Sequence, residues 1–378
     1  MTMLIAIVKE TEPDERRVAI TPPTLAKLLR LGVTVAIETG AGQAAGFADA
    51  AYQGASIAAS AADAVREADI VMTVRPAAPT LVAAMKPGAI LLGFVEAPDH
   101  PDLVSALREN RITALAMEKV PRISRAQAMD ALSSQAALAG YYAPLLGAAH
   151  LPRILPMMTT AVGSLRAARV LVMGLGVAGL QALATAHRLG AVTSGYDVRP
   201  ETAEQARSLG AKFVETGVDA RAEGGYARPL TDVEHATVRE ALTRYIAEAD
   251  LIVTTAAVPG RKAPRLIDRS QVLAMKPGSV IVDLAADSGG NVEGTLPGET
   301  VIVGPTTILA PRNVPSRLAE HASELYARNL LAMLGLLIEQ GSLKLDLADE
   351  IVSAMRVRPD GADGDTTPGS AALTGEAA

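Results

Sequence analysis

Short, almost wholly apolar runs alternate along this chain with longer segments of helical spacing, and the same alternation occurs twice. Glu67-Ala68-Asp69-Ile70-Val71-Met72-Thr73-Val74 returns as Glu248-Ala249-Asp250-Leu251-Ile252-Val253-Thr254-Thr255. Ala84-Met85-Lys86-Pro87-Gly88-Ala89-Ile90 returns as Ala274-Met275-Lys276-Pro277-Gly278-Ser279-Val280. Each pair reads as a helix end, a turn and a strand buried on both faces. Upstream, Leu31-Gly32 before residues 33–38 matches Leu189-Gly190 before residues 191–197, a helix C-terminus, a glycine cap and a strand. The shared order predicts an α/β chain of two Rossmann-like, doubly wound parallel-sheet domains with a cleft between them. Chance similarity of α/β segments is the alternative. The pattern assigns residues 1–130 plus about 311–378 to the first domain, and about 131–310 to the second.

Residues 120–134 break the pattern by setting polar side chains into a small, apolar stretch. Ser124 with Gln127 has the Ser-x-x-Gln form of a capping box, which predicts a helix starting there and running towards Leu146. At about 100° per residue, Gln127, Asp130, Ser133, Ala137 and Tyr141 would then share about a third of the helix circumference. The bland alternative is that Gln127 only caps the helix and Asp130 is a solvated carboxylate. Residues 318–337 form a long apolar helix pattern returning to the first domain or to a subunit partner. From Arg358 onward, Asp, Gly, Thr, Pro and Ala predict a flexible tail.

The two halves differ at the first strand-to-helix turn. In the second, the strand at 169–173 is followed by Gly174-Leu175-Gly176-Val177-Ala178-Gly179, which opens a helix, and Asp197 closes the next strand with Val198 and Arg199 after it. Strand, glycines, helix, strand and terminal acid together form a dinucleotide signature. Gly174 would allow the tight turn, Gly176 the approach of a pyrophosphate to the helix N-terminus, and Gly179 the packing of helix on strand. A purely structural turn is the alternative. Asp197 can accept from both ribose hydroxyls and would repel a 2′-phosphate, favouring NAD(H) over NADP(H), although Arg199 argues the other way. In the first half the same turn reads Lys9-Glu10-Thr11-Glu12-Pro13-Asp14-Glu15-Arg16-Arg17, with charges instead of glycines. That domain is expected to form the other wall of the cleft without a cofactor loop.

Thr254-Thr255-Ala256-Ala257-Val258-Pro259-Gly260 follows a strand and should lie at the carboxyl edge of the sheet, where ligands bind in this fold; Asp283 ends another strand there. Either is a ligand-edge element or a plain turn or cap. Gly224-Gly225-Tyr226-Ala227 reads as a mobile loop able to act as a lid, or as a plain insertion.

Composition narrows the chemistry. The 378 residues suffice for two domains, and 49% hydrophobic with 20% charged residues is ordinary for a globular enzyme. Aromatic residues are only 3% with no Trp, so cores must be filled by Ala, Val, Leu and Ile. A net charge of −6 gives no reason to expect nucleic acid or an anionic membrane surface. The absence of cysteine excludes disulfides, a thiolate nucleophile and Cys-ligated zinc, and the five His lack metal-ligand spacing, so no metal site is expected. Residues 330–338 are among the longest apolar runs and fall well short of the roughly 20 residues of a membrane helix. The N-terminus lacks the form of a signal peptide, and the expectation is a soluble, cytoplasmic chain.

Several motifs resemble one family across nearly the whole chain. They are Arg17-Val18-Ala19-Ile20-Thr21-Pro22, Pro121-Arg122-Ile123-Ser124-Arg125-Ala126-Gln127, Leu132-Ser133-Ser134, Ala139-Gly140-Tyr141, the glycine turn, Gly225-Tyr226-Ala227 and Asn313-Val314-Pro315-Ser316-Arg317. Together they look like the NAD(H)-binding component, domain I, of proton-translocating nicotinamide nucleotide transhydrogenases. The Arg-x4-Gln-x2-Asp loop is the most specific of them. Such proteins are similar in fold to alanine dehydrogenase, but Glu96 lies about where alanine dehydrogenases place a substrate-handling His, and Arg75 about where they place a Lys.

The resemblance implies hydride transfer from NADH to NADP⁺ held on a separate NADP(H)-binding component, coupled to proton passage through a membrane component. It implies that Arg122, Gln127, Asp130 and Ser133 orient the nicotinamide end, that Tyr141 lies nearby, and that Tyr226 rides on a loop closing over the nucleotide. Gly174, Gly176, Val177, Ala178, Gly179, Asp197, Val198, Arg199, Thr255 and Ala256 are the expected cofactor contacts. It further implies a homodimer on the cytoplasmic face of the membrane, its membrane and NADP(H) components being separate chains. A soluble alanine-dehydrogenase-like oxidoreductase and a non-catalytic NAD(H)-sensing module are the competing readings.

Overall fold

The computed structural model describes residues 2–220, 228, 230–257 and 262–357. Its first half runs β1 (Leu4–Ile7), α1 (Pro22–Leu29), β2 (Thr34–Glu38), β3 (Ser56–Ala58), α2 (Ala61–Val65), β4 (Ile70–Met72), α3 (Pro79–Ala84), β5 (Ile90–Gly93), α4 (Pro101–Glu109) and β6 (Thr113–Ala116). A long helix, α5 (Ala131–His150), then leads through a hairpin of β7 (Met158–Thr160) and β8 (Gly163–Leu165) into the second half. That half runs β9 (Arg169–Met173), α6 (Val177–Arg188), β10 (Val192–Tyr196), α7 (Thr202–Ser208), β11 (Lys212–Phe213), α8 (Asp232–Glu248), β12 (Leu251–Thr254), α9 (Arg269–Leu273), β13 (Ser279–Asp283), β14 (Thr300–Val303) and β15 (Thr306–Leu309). The chain closes with α10 (Ala319–Leu337), a small hairpin of β16 (Ile338–Glu339) and β17 (Ser342–Leu343), and α11 (Glu350–Met355).

Both sheets have the doubly wound order. The first is β3-β2-β1-β4-β5-β6, and the second is β11-β10-β9-β12-β13-β15 with β14 added antiparallel at the edge. The predicted α/β architecture of two Rossmann-like sheets is therefore what the chain forms. Strands such as β12 and β13 are buried at every residue, as parallel strands covered by helices on both faces must be.

The sequence repeat has a structural cause. Asp69 accepts from Leu4 N at 2.7 Å and from Lys86 Nζ at 2.6 Å. Asp250 likewise accepts from Arg169 N at 2.8 Å and from Lys276 Nζ at 2.9 Å. In each half an aspartate before the fourth strand thus pins the start of the first, and the lysine of the Met-Lys-Pro-Gly turn neutralises it.

α10 lies in the core of the first half. Tyr326, Leu330, Met333, Leu334 and Leu337 are fully buried there with Ile5, Ile7 and Ile70 of the sheet. α5 bridges the halves, packing on α6, β12 and β13 on one side and on α10 on the other. Its Gly140 sits so close to α6 that a Cβ there would lie 2.1 Å from the Ala178 carbonyl oxygen.

The helix predicted from Ser124 starts later. Ser124–Met129 forms a 3-10 helix with no side-chain cap, and α5 begins only after Asp130. Asp130 breaks the path (φ −69°, ψ 86°) and caps α5, its carboxylate accepting from Ser133 N at 2.8 Å and Ser133 Oγ at 2.6 Å. Meanwhile Ala126 and Met129 turn into the first core. A carboxylate serves a helix N-terminus better than the Ser124–Gln127 box would, through hydrogen bonding and the helix dipole. Gln127 therefore stands off the helix, and the single stripe of five residues does not form.

Candidate functional site

The two halves bring equivalent loops to the carboxyl edges of their sheets. In the second, Gly174 to Gly179 link β9 to α6 at the switch point, where helices depart to opposite faces of the sheet. The N-cap of α6 is Gly176, which has no side chain to cap the helix, so the amides of its first turn face the edge with a helix dipole behind them. Gly174 has φ 91°, the left-handed conformation that makes the turn. A Cβ on Gly179 would come within 1.7 Å of the Gly174 carbonyl oxygen, whereas a Cβ on Gly176 would meet, among the described residues other than its chain neighbours, nothing within 4 Å. Two of the three glycines thus satisfy the protein, and the third leaves room at the helix start. Val177 is exposed, Ala178 touches α5, and Thr255 Oγ1 ties the turn to β12 by donating to the Gly174 carbonyl at 2.8 Å.

Asp197 lies just past β10, on one side of the switch point, with 9% of its surface exposed. It accepts from Leu175 N at 2.6 Å and from Arg199 N and Nε, each at 2.9 Å. The acid and the guanidinium, weighed against each other in sequence, are thus one ion pair. Val198 packs partly into the second core. On the other side of the switch point, Ala256 N donates to Asn291 Oδ1 at 3.0 Å. Asp283 is wholly buried and accepts from Thr254, Thr295 and the backbone of Ala285, Asn291 and Val292, so it organises the loops rather than facing the edge.

Gly174 to Gly179, Asp197 to Arg199, Thr255 and Ala256 therefore share one edge. Tyr141, 42% exposed, follows Gly140 on α5 and so lies near the start of α6. Asp130 and Ser133 are at the N-terminal end of α5, roughly 15 Å from mid-helix Tyr141 along its axis by the rise per residue. That end is tied to the first half, since Ser134 Oγ donates to Asn329 at 2.7 Å and Asn329 Nδ2 to the Ala128 carbonyl at 2.9 Å. Arg122 and Gln127 are exposed beside it. Tyr226, with residues 258–260 of the predicted edge loop, lies outside the described residues. Among the described residues no group of His, Asp and Glu is arranged to hold a metal ion.

The first half fills its edge with its own charges. Glu10 accepts from Val74 N at 2.6 Å and Arg75 N at 3.2 Å. Burial pushes its carboxyl up to about 7, with those backbone N–H groups opposing. Arg75 donates to Glu12 at 3.0 Å and Glu96 at 2.9 Å. Glu96 is held left-handed, at φ 47°, with its backbone N–H on Glu118 at 2.6 Å. Burial also raises the Glu118 carboxyl, against the backbone N–H groups it accepts from.

Below this, Arg17 and Glu15 form a buried bidentate pair, and Arg17 continues to Gln135 of α5 at 2.9 Å and to Asn313 at 3.2 Å. Burial pushes the Glu15 carboxyl up, but the bonds and charge of Arg17 outweigh it and hold it at about 2. Arg17 thus joins the first sheet to both segments that cross between the halves. Gln135 and Asn291 have no motif in the sequence; the signals available were a glutamine inside an apolar helix and an asparagine behind a Gly-Gly pair.

The description "Alanine dehydrogenase/PNT" applies to both halves: its N-terminal domain matches residues 6–139 and its C-terminal domain residues 143–362. In Rhodospirillum rubrum, the first portion of NAD(P) transhydrogenase subunit alpha is 46% identical over 95% of this chain and 97% of its own length. NAD(P) transhydrogenase subunit alpha of Haemophilus influenzae is 41% identical over 95% of this chain and 71% of its own. Alanine dehydrogenase of Bacillus subtilis is 31% identical over 77% of this chain and 72% of its own. Among solved structures, a transhydrogenase from Sinorhizobium meliloti superposes with a TM-score of 0.85 at 42% identity, covering 93% of this chain and 97% of that one. An L-alanine dehydrogenase gives 0.75 at 28%, covering 89% and 90%. With both halves matched and identity highest to the subunits alpha among these relatives, the chain belongs to the alanine dehydrogenase/transhydrogenase family.

Proposed function

We propose that this chain is the NAD(H)-binding component of a proton-translocating transhydrogenase. The observation that carries the reading is the contrast between the two sheet edges. The second offers an uncapped helix start with space beside Gly176, as a pyrophosphate requires, and the first is closed by its own ion pairs. The positions where the family resemblance places the Lys and His of an amino-acid dehydrogenase are Arg75 and Glu96, locked on each other. An alanine-dehydrogenase activity would lack its acid/base pair.

The glycine turn and the α6 amides hold the pyrophosphate. Asp197 holds the adenosine ribose, whose hydroxyls replace part of its bonding to Arg199. Val198, Arg199, Thr255 and Ala256 line the flanks. Asp130 and Ser133 hold the carboxamide, with Arg122 and Gln127 setting the ring's orientation, while Tyr141 lies further along α5, towards the start of α6. Bound NADH supplies a hydride that leaves C4 of its nicotinamide for C4 of the nicotinamide of NADP⁺ on the partner component. No side chain need take a proton, so the work of the site is positioning.

The NADP(H)-binding and membrane components are separate chains, and the component sits peripherally on the cytoplasmic face. No helix among the described residues is long and apolar enough to cross a membrane. The β7–β8 hairpin supports a homodimer: Met157, Met158, Val162 and Leu165 stand 71%, 44%, 99% and 54% exposed on a two-stranded arm that a second copy can cover.

The test mixes the chain with an NADP⁺-loaded partner component and follows reduction of an NADP⁺ analogue by NADH. Transfer is expected, and no transfer with both nucleotides bound would leave only a sensing module. Oxidation of NADH with pyruvate and ammonia by the chain alone would instead establish the dehydrogenase. Gln127→Asn should leave the NADH Kd nearly unchanged while slowing transfer at least about tenfold, because a positioning group is shortened away from the phosphate turn. Loss of folding would make Gln127 structural.

A further inference from the structure

We propose that Asn291 is a positioning residue for the nicotinamide half of the bound dinucleotide, acting through the backbone of Ala256; this rests on the nucleotide reading above. In the strand order β10-β9-β12, the glycine turn lies at the end of β9, Asp197 beyond β10, and Thr255 and Ala256 beyond β12. A dinucleotide whose pyrophosphate sits on α6 and whose adenosine ribose meets Asp197 must extend its other half over the β12 side. There the wall is backbone, and its position needs a cause.

Asn291 supplies it. Wholly buried, it accepts from Ala256 N at 3.0 Å and donates through Nδ2 to the carbonyls of Ala256 at 2.8 Å and Pro264 at 2.7 Å. One side chain thus satisfies both polar groups of Ala256 and ties that residue to the returning chain. Its own backbone is fixed in turn, for Asn291 N donates to Asp283 Oδ2 at 2.9 Å, and its carbonyl accepts from Leu266 N at 2.8 Å. The preceding Gly290, at φ 75°, permits this approach, since a Cβ there would lie 2.9 Å from Asp283 Oδ2. Next to Ala256, Thr255 Oγ1 holds the Gly174 carbonyl. Asp283, Asn291, Ala256, Thr255 and Gly174 therefore form one continuous series of contacts from the core of the second sheet to the glycine turn. No aliphatic side chain could serve the Ala256 amide and carbonyl together.

The test measures the Kd of wild type, Asn291→Ala and Asn291→Asp for NADH and for 5′-AMP, with circular dichroism to verify folding. Aspartate retains the size and the acceptor for Ala256 N but cannot donate to the two carbonyls. Both variants should bind NADH about tenfold more weakly or worse, the scale of one lost hydrogen bond, and bind 5′-AMP as the wild type does. An equal loss for both ligands, no loss in the folded variants, or failure of both variants to fold would overturn the inference. Wild-type protein that binds no NADH would overturn the nucleotide reading and this inference with it. Wild-type binding without the NADH/5′-AMP split would overturn this inference alone.

Discussion

The edge of the first sheet and the edge of the second are built by the same strand order and end in opposite chemistry. At the first, Glu10, Arg75, Glu96 and Glu118 meet one another or nearby backbone amides, and Arg17 and Glu15 close the space beneath. At the second, a helix starts on a glycine N-cap whose missing side chain leaves room among the described residues. The comparison teaches that a doubly wound sheet offers a site at its switch point, and that side chains decide whether the site remains open to a ligand or is filled by the protein.

The largest expected effect breaks the filled edge. Arg17→Met would leave the Glu15 carboxylate buried without its cation, at a cost of about 3–5 kcal/mol in urea unfolding. A loss below about 1 kcal/mol would mean that the pair does not lock the edge. Next, Gly179→Ala forces a Cβ against the Gly174 carbonyl, and the expected cost is about 1–3 kcal/mol together with loss of NADH affinity. Gly176→Ala sharpens the contrast. Its Cβ meets nothing within 4 Å among the described residues other than its chain neighbours, so the thermal midpoint should barely move while NADH binding weakens at least about tenfold. Equal effects of the two alanines would remove the distinction between a glycine needed by the fold and one needed by the ligand.

A further effect is a pH dependence peculiar to the filled edge. With the Glu10 carboxyl raised from its ordinary value of 4.5 to about 7, the folded state binds a proton that the unfolded chain has lost, so stability falls as pH rises between those values. Glu15 works in the opposite sense, its contribution present above about 4.5 and lost as pH falls towards 2. Glu10→Gln should flatten the urea midpoint between pH 5 and 7; an unchanged slope would contradict the assignment.

Much of the fold was legible because its rules are local and repeated. The Asp before the fourth strand and the Met-Lys-Pro-Gly turn occur twice and do the same work twice. The glycine turn was legible because three glycines at fixed spacing meet requirements that few other residues meet. The start of α5 was misplaced because Ser124 and Asp130 are both good caps, and the burial of Ala126 and Met129, a tertiary effect, selected the later one. Arg17, Gln135 and Asn313 lie up to 296 residues apart, and nothing local marks them as partners. The Asp197–Arg199 pair was visible as two competing charges, but their union depends on a turn that spacing alone does not specify.

Amide hydrogen exchange with and without NADH reads both edges at once, the one that receives the nucleotide and the one that is closed. Added protection is expected at the amides of Leu175 to Gly179 and at Ala256, with those of Val74, Arg75 and Glu96 unchanged. Protection appearing at the first edge and absent from the glycine turn would contradict that division.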